Sequence, residues 1–469
     1  MWNPVAAGAD LSCVSSTAGA RRAYWYLCAI GRVTIEKGHA TMIGRDGHAL
    51  PADHVARLPL NNEVHARPPE ALPKRARLTY VVLFGELDMA PLADLCERFG
   101  VAPPAQGSNH FSADLGPFRL KWERHTEFTR YWFFVPASGV GDLFGITALE
   151  AVPRDWLQTL AGEVLVANHV EMLPLAKTKL DEDKLSKDNF GGNPIVGAEV
   201  AGGLGRVYTD FRIHADGFGR LLIFDNAMSP RQRGRTVQRL LEIDTYRVLA
   251  LLTLPVARNL MPVLNGFETE LGEITSAMRG ADEADEPKLL DRLTLLHSDV
   301  VREHTNTQFR FSAARAYADL VALRISELRE SRIEGLQLFA EFTDRRLSPA
   351  MRTCEAVSRR LSIMSERVDR ATQLLSTRVD ISRERQNQSL LTSMDNRAKL
   401  QLRLQETVEG LSIAAITYYI VGLAGYAAKG ADAAGVLSVN ADIVTALAIP
   451  VVLLVVAIGV RRVRKSITD

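Results

Sequence analysis

Glu63, His65 and Arg67 recur at every second position of Asn62-Glu63-Val64-His65-Ala66-Arg67-Pro68, just ahead of Pro69. In an extended stretch, alternation at period two sets all three side chains on one face. A carboxylate, an imidazole and a guanidinium would then share one spot. Two readings follow. One is a ligand or regulatory cation site, or acid–base chemistry, with Glu63 and His65 as candidate metal ligands and a divalent cation as the cofactor they would take. The other is a polar latch in which Arg67 and Glu63 pin the arm to the sheet or to the helical region. One imidazole and one carboxylate are fewer ligands than a firm metal centre uses.

Elsewhere the chemistry is sparser. Phe190-Gly191-Gly192-Asn193-Pro194 and Gly202-Gly203-Leu204-Gly205 are glycine-rich. They match neither the phosphate loop nor the dinucleotide fingerprint, so these glycines read as turns between strands. Arg231, Arg233 and Arg235 stand at the start of a helical pattern, as an anion site or as a basic cap that is solvated or paired with acids. No nucleophile–base set or carboxylate pair stands out, no cofactor is indicated, and the expectation is a chain that is not an enzyme. Cys13, Cys28, Cys96 and Cys354 are scattered without a CxxC spacing. Neither a disulfide framework nor a zinc site is suggested. A net charge of +1 provides no electrostatic case for nucleic acid.

The membrane is the partner that the sequence points to most directly. Residues 411–428 and 443–460 are apolar and hold no charged side chain. At about 1.5 Å per residue, each helix would cover most of a ~30 Å hydrocarbon core. Arg397, Lys399 and Arg403 precede the first stretch and Arg461-Arg462-Val463-Arg464-Lys465 follows the second, while the connector is nearly balanced. That asymmetry places both termini in the cytoplasm. Thr417, Tyr418, Tyr419, Gly422, Gly425 and Tyr426 are the candidate pore-lining or packing residues of the first stretch. Its glycines permit close helix approach.

These segments need elements to position them. Residues 1–48 lack periodicity and read as disordered, or as an over-extended reading frame. Residues 49–230 form a cytoplasmic α+β domain with a mixed or antiparallel sheet. Strands are expected at 78–84, 118–125, 127–135, 163–173, 195–201, 206–214 and 219–224, with helices at 89–99 and 156–160. Residues 231–410 are a helical, coiled-coil stalk, with helices at 233–253, 262–278, 289–301 and 312–347. A longest helix is capped by Ser348-Pro349. Leu347, Cys354, Leu361, Val368 and Leu375 recur every seventh residue, with Ala350, Val357, Met364 and Ala371 three further on. This is an a/d seam. Residues 411–460 are a two-helix transmembrane hairpin and 461–469 a basic cytoplasmic tail.

That order of parts resembles the CorA-type divalent-cation channels. The family's Gly-Met-Asn filter has no counterpart: the place reads Gly425-Tyr426-Ala427-Ala428. The chain is also similar to a bacterial family of uncharacterised membrane-anchored proteins, domain of unknown function 3422. That resemblance is carried by Asn62 to Pro68, Gln386-Asn387, Met394-Asp395-Asn396-Arg397, Thr407-Val408-Glu409-Gly410-Leu411-Ser412 and Tyr418-Tyr419. It implies a multi-pass protein of the bacterial inner (plasma) membrane. The expected function is that of a homo-oligomer, assembled through stalk and membrane helices, that transports a cation. The alternative is a membrane-anchored scaffold or sensor whose hairpin only tethers and oligomerises it.

Overall fold

β3 (Ala76–Phe84) and β6 (Phe128–Pro136) are buried along most of their length, as continuous apolar runs require of strands covered on both faces. They pair at the middle of a nine-stranded mixed sheet of order β11-β8-β9-β10-β7-β3-β6-β5-β4. The other strands are β4 (His110–Asp114), β5 (Arg119–Arg124), β7 (Glu163–Pro174), β8 (Val196–Val200), β9 (Gly205–Thr209), β10 (Gly219–Asp225) and β11 (Ser331–Arg332). Neighbours pair antiparallel except β7 and β10, which are parallel with Gly219 opposite Asn168.

The computed structural model describes residues 33–36, 39–42, 53–65, 68–85, 88–105, 107–137, 143–175, 180–433, 435 and 440–468. Within the first 48 residues, β1 (Val33–Glu36) pairs antiparallel with β2 (His39–Met42). Contacts divide the chain into a sheet unit, residues 1–258 with 309–356, and a helical unit, residues 259–308 with 357–469. The sheet unit therefore extends past the boundary expected at 230. The apolar face of a long helix, α5 (Pro230–Leu251), belongs to its core.

Ser229 and Gln232 start α5 as a capping box, with Pro230 in the first turn. Val237, Leu240, Leu241, Ile243 and Leu249 then bury against Leu78, Tyr80, Val82, Val170 and Ile223 on one sheet face. The opposite face holds two smaller clusters. One gathers α2 (Ala90–Arg98) and Trp156 of α3 (Arg154–Leu157) on Tyr131 and Phe133. The other sets Leu185 and Phe190 of α4 (Glu182–Phe190) on Tyr208 and Leu222. β4 and α4 had no sequence expectation. β4 is a half-buried edge strand, and α4 is mostly polar, defined by its Asp181 cap and by Gly191 at φ 63°.

The remaining helices are α6 (Thr253–Ala277), α7 (Glu286–Leu328), α8 (Phe339–Ala433) and α9 (Ala441–Thr468). Two expectations are corrected. α7 is one helix rather than two pieces, since no glycine or proline interrupts it after Pro287. The longest helix starts at Phe339, and Pro349 lies inside it. Its N-terminus is capped from outside the helix: the Glu330 carboxylate accepts the Phe339 and Ala340 amides, both at 2.9 Å. A cap nine residues away is invisible to a search for Ser-Pro.

In the helical unit, Leu361, Met364, Val368 and Leu375 of α8 are buried, as are Leu264, Leu271 and Ile274 of α6 and Leu293, Leu296 and Val300 of α7. Arg360 clamps Glu268 at 2.7 Å, His297 meets Asp369 at 3.0 Å, and Arg378 meets Glu286 at 2.8 Å. The covered seam stops there. Between residues 383 and 408 every residue of α8 is exposed, including Leu390, Met394 and Leu404.

Candidate functional site

The motif residues fall differently from the extended reading. α1 (Arg57–His65) is helical through His65, so the backbone there is not the extended stretch on which the alternation of Glu63 and His65 relies. The side chains of Asn62, Glu63 and His65, and Arg67 as a whole, lie outside the described residues. Residues 68–72 that follow are pinned in place. Glu70 takes Arg119 at 2.8 Å and the Ser112 hydroxyl at 2.6 Å. Leu72 donates its amide to the Pro230 carbonyl, and its own carbonyl accepts from Arg233 at 2.8 Å. Arg233 also binds Asp225 at 3.0 Å, so it is a buried, acid-paired residue rather than an anion site. Gly234 is required where the arm crosses α5: a Cβ there would lie 1.7 Å from the Glu70 carbonyl oxygen.

The arm leads into a buried charge network. Pro68 offers its carbonyl to Lys121 Nζ at 3.1 Å. Lys121 meets Glu123 at 3.1 Å, and Glu123 meets Arg130 at 2.5 Å. Arg130 reaches Glu242 of α5 at 3.4 Å, and Glu242 takes Arg324 of α7 at 2.5 Å. Lys121, Glu123, Arg130 and Glu242 are all buried. Burial opposes ionisation of Glu123, yet the Arg130 and Lys121 charges outweigh it and hold the carboxyl below its usual range. Burial likewise opposes the Arg130 charge, and Glu123, Tyr80 and Glu242 overcome it. Lys121 and Arg130 also lie 5.4 and 5.9 Å from the Trp132 ring centre. Such a network fixes one arrangement of strands and helices more than it adds net stability.

Where β5 turns into β6 lies a cleft of about 430 Å³ lined by Asn109, Arg124, His125, Phe128, Tyr246 and Tyr317. Tyr317 donates to Glu127 at 2.7 Å, and Arg310 neutralises the same carboxylate. Burial, reinforced by Glu127, pushes the Tyr317 hydroxyl up, so it remains a donor.

The opposite face of β7 holds the groups whose protonation is poised. Burial raises Glu171 to about 7 against the Arg77 guanidinium 2.9 Å away. His169, two residues earlier, is lowered to about 4 by burial and stacks on Phe218 at 4.1 Å. Sequence reasoning passed over both. The signal was their presence as polar side chains in a strand otherwise covered on both faces.

The candidate membrane residues differ in burial. Thr417, Gly425 and Ala428 are the buried residues of 411–428, and a Cβ on Gly425 would lie 3.2 Å from Thr445 Cγ2 of α9. Tyr418, Tyr419, Gly422 and Tyr426 are exposed. By length and composition three helical stretches could cross a membrane: Pro230–Ala277, Phe339–Ala433 and Asp442–Arg462. The first has another use for its apolar residues, because those of α5 form the sheet core. Glycines 191, 192, 202 and 203 all adopt positive φ in turns, as expected of the glycine-rich segment. Among the described residues no group of three or more His, Cys, Asp or Glu side chains could hold a metal ion.

The chain belongs to the family described as protein of unknown function (DUF3422), whose model matches residues 52–467. No curated protein matches the sequence. A solved structure similar to it is that of a flavin-dependent halogenase from Xanthomonas campestris, 11% identical with a TM-score of 0.15. The match covers 76% of this chain and 63% of the halogenase, so this chain spans less than two thirds of that enzyme. The neighbour is an enzyme, and the expectation of a chain that is not one is withdrawn. A likeness this slight assigns neither fold, flavin nor activity.

Proposed function

We propose that this member of the family is a membrane-anchored, homo-oligomeric sensor or scaffold. Its sheet unit is cytoplasmic, and α9 with the end of α8 is its bilayer anchor. The observation that carries the reading is the uncovered apolar surface of these helices. No residue of the hydrophobic stretch of α9 is buried, and the matching stretch of α8 buries only Thr417, Gly425 and Ala428. Charge-free helices of this length are stable where lipid replaces water.

Oligomerisation follows from the bare stretch of α8. Leu390, Met394, Leu404, Val408 and Leu411 fall on one seam with steps of four and three residues, shared with Arg397 and Gln401. All five apolar members are exposed. A lone helix with such a face is marginal in water, and copies of itself would cover it. In lipid nanodiscs the full chain should elute as an oligomer by light scattering, and Leu404→Asp with Val408→Asp should dissociate it while leaving it bilayer-bound. Extraction of the wild-type chain from membranes by alkaline carbonate would sink the anchor reading. A monomeric wild type would sink the oligomer reading.

A second reading, cation transport, rests on the order of parts that resembles CorA-type channels. It is favoured by the stripe of Tyr418, Gly422 and Tyr426 at steps of four residues, all three of them exposed. In a ring of copies that stripe would line an apolar, aromatic constriction, which dewets and blocks ions until it widens. Tyr418→Ser should then raise cation flux into proteoliposomes, and Leu454→Ser should not. Flux no greater than that of empty liposomes in both wild type and Tyr418→Ser leaves the anchor reading alone.

A further inference from the structure

The sheet unit contains a second cavity that neither the charge network nor the anchor uses. It measures about 280 Å³ and lies among β7, the 210–218 connection, α5 and the start of α8. That is close to the lower edge of small-molecule sites, roughly 300–1,000 Å³. Val166, Leu221, Leu240, Val248 and Phe339 make its walls apolar. Apolar residues also stand at its rim, where Ile213 is 80% and Val164 64% exposed.

Polar groups are few and specific. Asn168 donates to Asp244 at 2.8 Å, and Arg247 meets the same carboxylate at 2.5 Å while lying 5.0 Å from the Phe211 ring centre. The Asp244 charge is thus consumed. Arg247 Nε is buried and has no hydrogen-bond partner. Arg212, also on the lining, is exposed and has no carboxylate partner among the described residues, so the cavity carries one net positive charge. Two backbone features hold this shape. Phe211 is kept in the left-handed region at φ 52°, and Gly219 leaves room for the Asn168 amide, whose oxygen would stand 2.1 Å from a Cβ.

From the apolar walls and the single net positive charge, we infer that this cavity binds a medium-chain alkyl carboxylate. The chain lies along the valine and leucine wall, and the carboxylate pairs with the guanidinium groups of Arg247 and Arg212. Every group invoked belongs to the sheet unit, so binding is expected whether or not the protein is anchored or oligomeric.

The probe is octanoate, titrated into the full chain in lipid nanodiscs, with empty nanodiscs as the partition control and binding read by saturation-transfer NMR. Wild type should show saturable binding, and 1-octanol should bind at least tenfold more weakly. Val248→Phe fills the cavity without touching a charge and should abolish binding. Arg247→Gln should weaken octanoate about tenfold and leave 1-octanol unchanged. Equal binding by wild type and Val248→Phe, or octanol binding as well as octanoate, overturns the proposal. Val248→Phe still decides the matter where Arg247→Gln fails to fold.

Discussion

Arg130 of β6 and Glu242 of α5 meet 3.4 Å apart with both side chains buried, although 112 residues separate them in the chain. The pair joins the sheet to its covering helix through charge, in an interface of apolar side chains that Tyr80 with Thr245 and Asn168 with Asp244 also bridge. Arg130→Leu leaves Glu123 and Glu242 buried without their shared partner. It should cost about 3–5 kcal/mol, read as a lowered denaturation midpoint. The triple variant Arg130→Leu, Glu123→Leu, Glu242→Leu should recover part of that loss. A midpoint unchanged in Arg130→Leu would mean that the network is not formed in solution.

The crossing of the 68–72 arm over α5 predicts a sharp contrast between two glycines. Gly234→Ala places a Cβ against the Glu70 backbone and should destabilise by about 1–3 kcal/mol. Gly266→Ala, in an exposed helical position with open space around it, should stabilise by about 0.5–1 kcal/mol. Chemical denaturation of the two variants side by side measures the difference. Equal effects would show that the arm does not press on α5.

Glu171 and His169 should pull stability in opposite directions with pH. Glu171 is raised by burial to about 7, so its contribution is present below its unfolded value near 4.5 and lost as pH rises through 7. His169 is lowered by burial to about 4, so its contribution is present above its unfolded value near 6.5 and lost as pH falls through 4. Wild-type stability should vary little between pH 4.5 and 6.5. Glu171→Gln should expose a fall on acidification, and His169→Gln a fall on raising the pH. Hydrogen exchange of the β7 amides reads both, and parallel profiles for the two variants would refute the assignment.

Charge asymmetry around the two apolar stretches predicts their topology. With Gly435→Cys, a membrane-impermeant thiol reagent added outside the cell should label the protein. With Ser466→Cys it should not, because Arg461, Arg462, Arg464 and Lys465 hold that end inside. Labelling at Ser466→Cys alone would invert the chain.

Features governed by neighbours in the chain were readable from the residues alone. Strands β3, β6 and β10, helix α2, the seven-residue spacing through Leu361 and Leu375, and the two charge-free stretches all depend on side-chain periodicity and composition. Those quantities act within a few residues of themselves. What the tertiary structure alone decided was every relation across long separations. The sequence could not show that β10 lies parallel to β7, or that Glu330 caps the helix starting at Phe339. Nor could it show that Glu70 ties residues 68–72 to β5 through Arg119. Lys121, Glu123 and Arg130 are charged residues of β5 and β6. They are buried because α5 and α7 bring Glu242 and Arg324 to compensate them, and that compensation exists only once the helices have closed over the sheet.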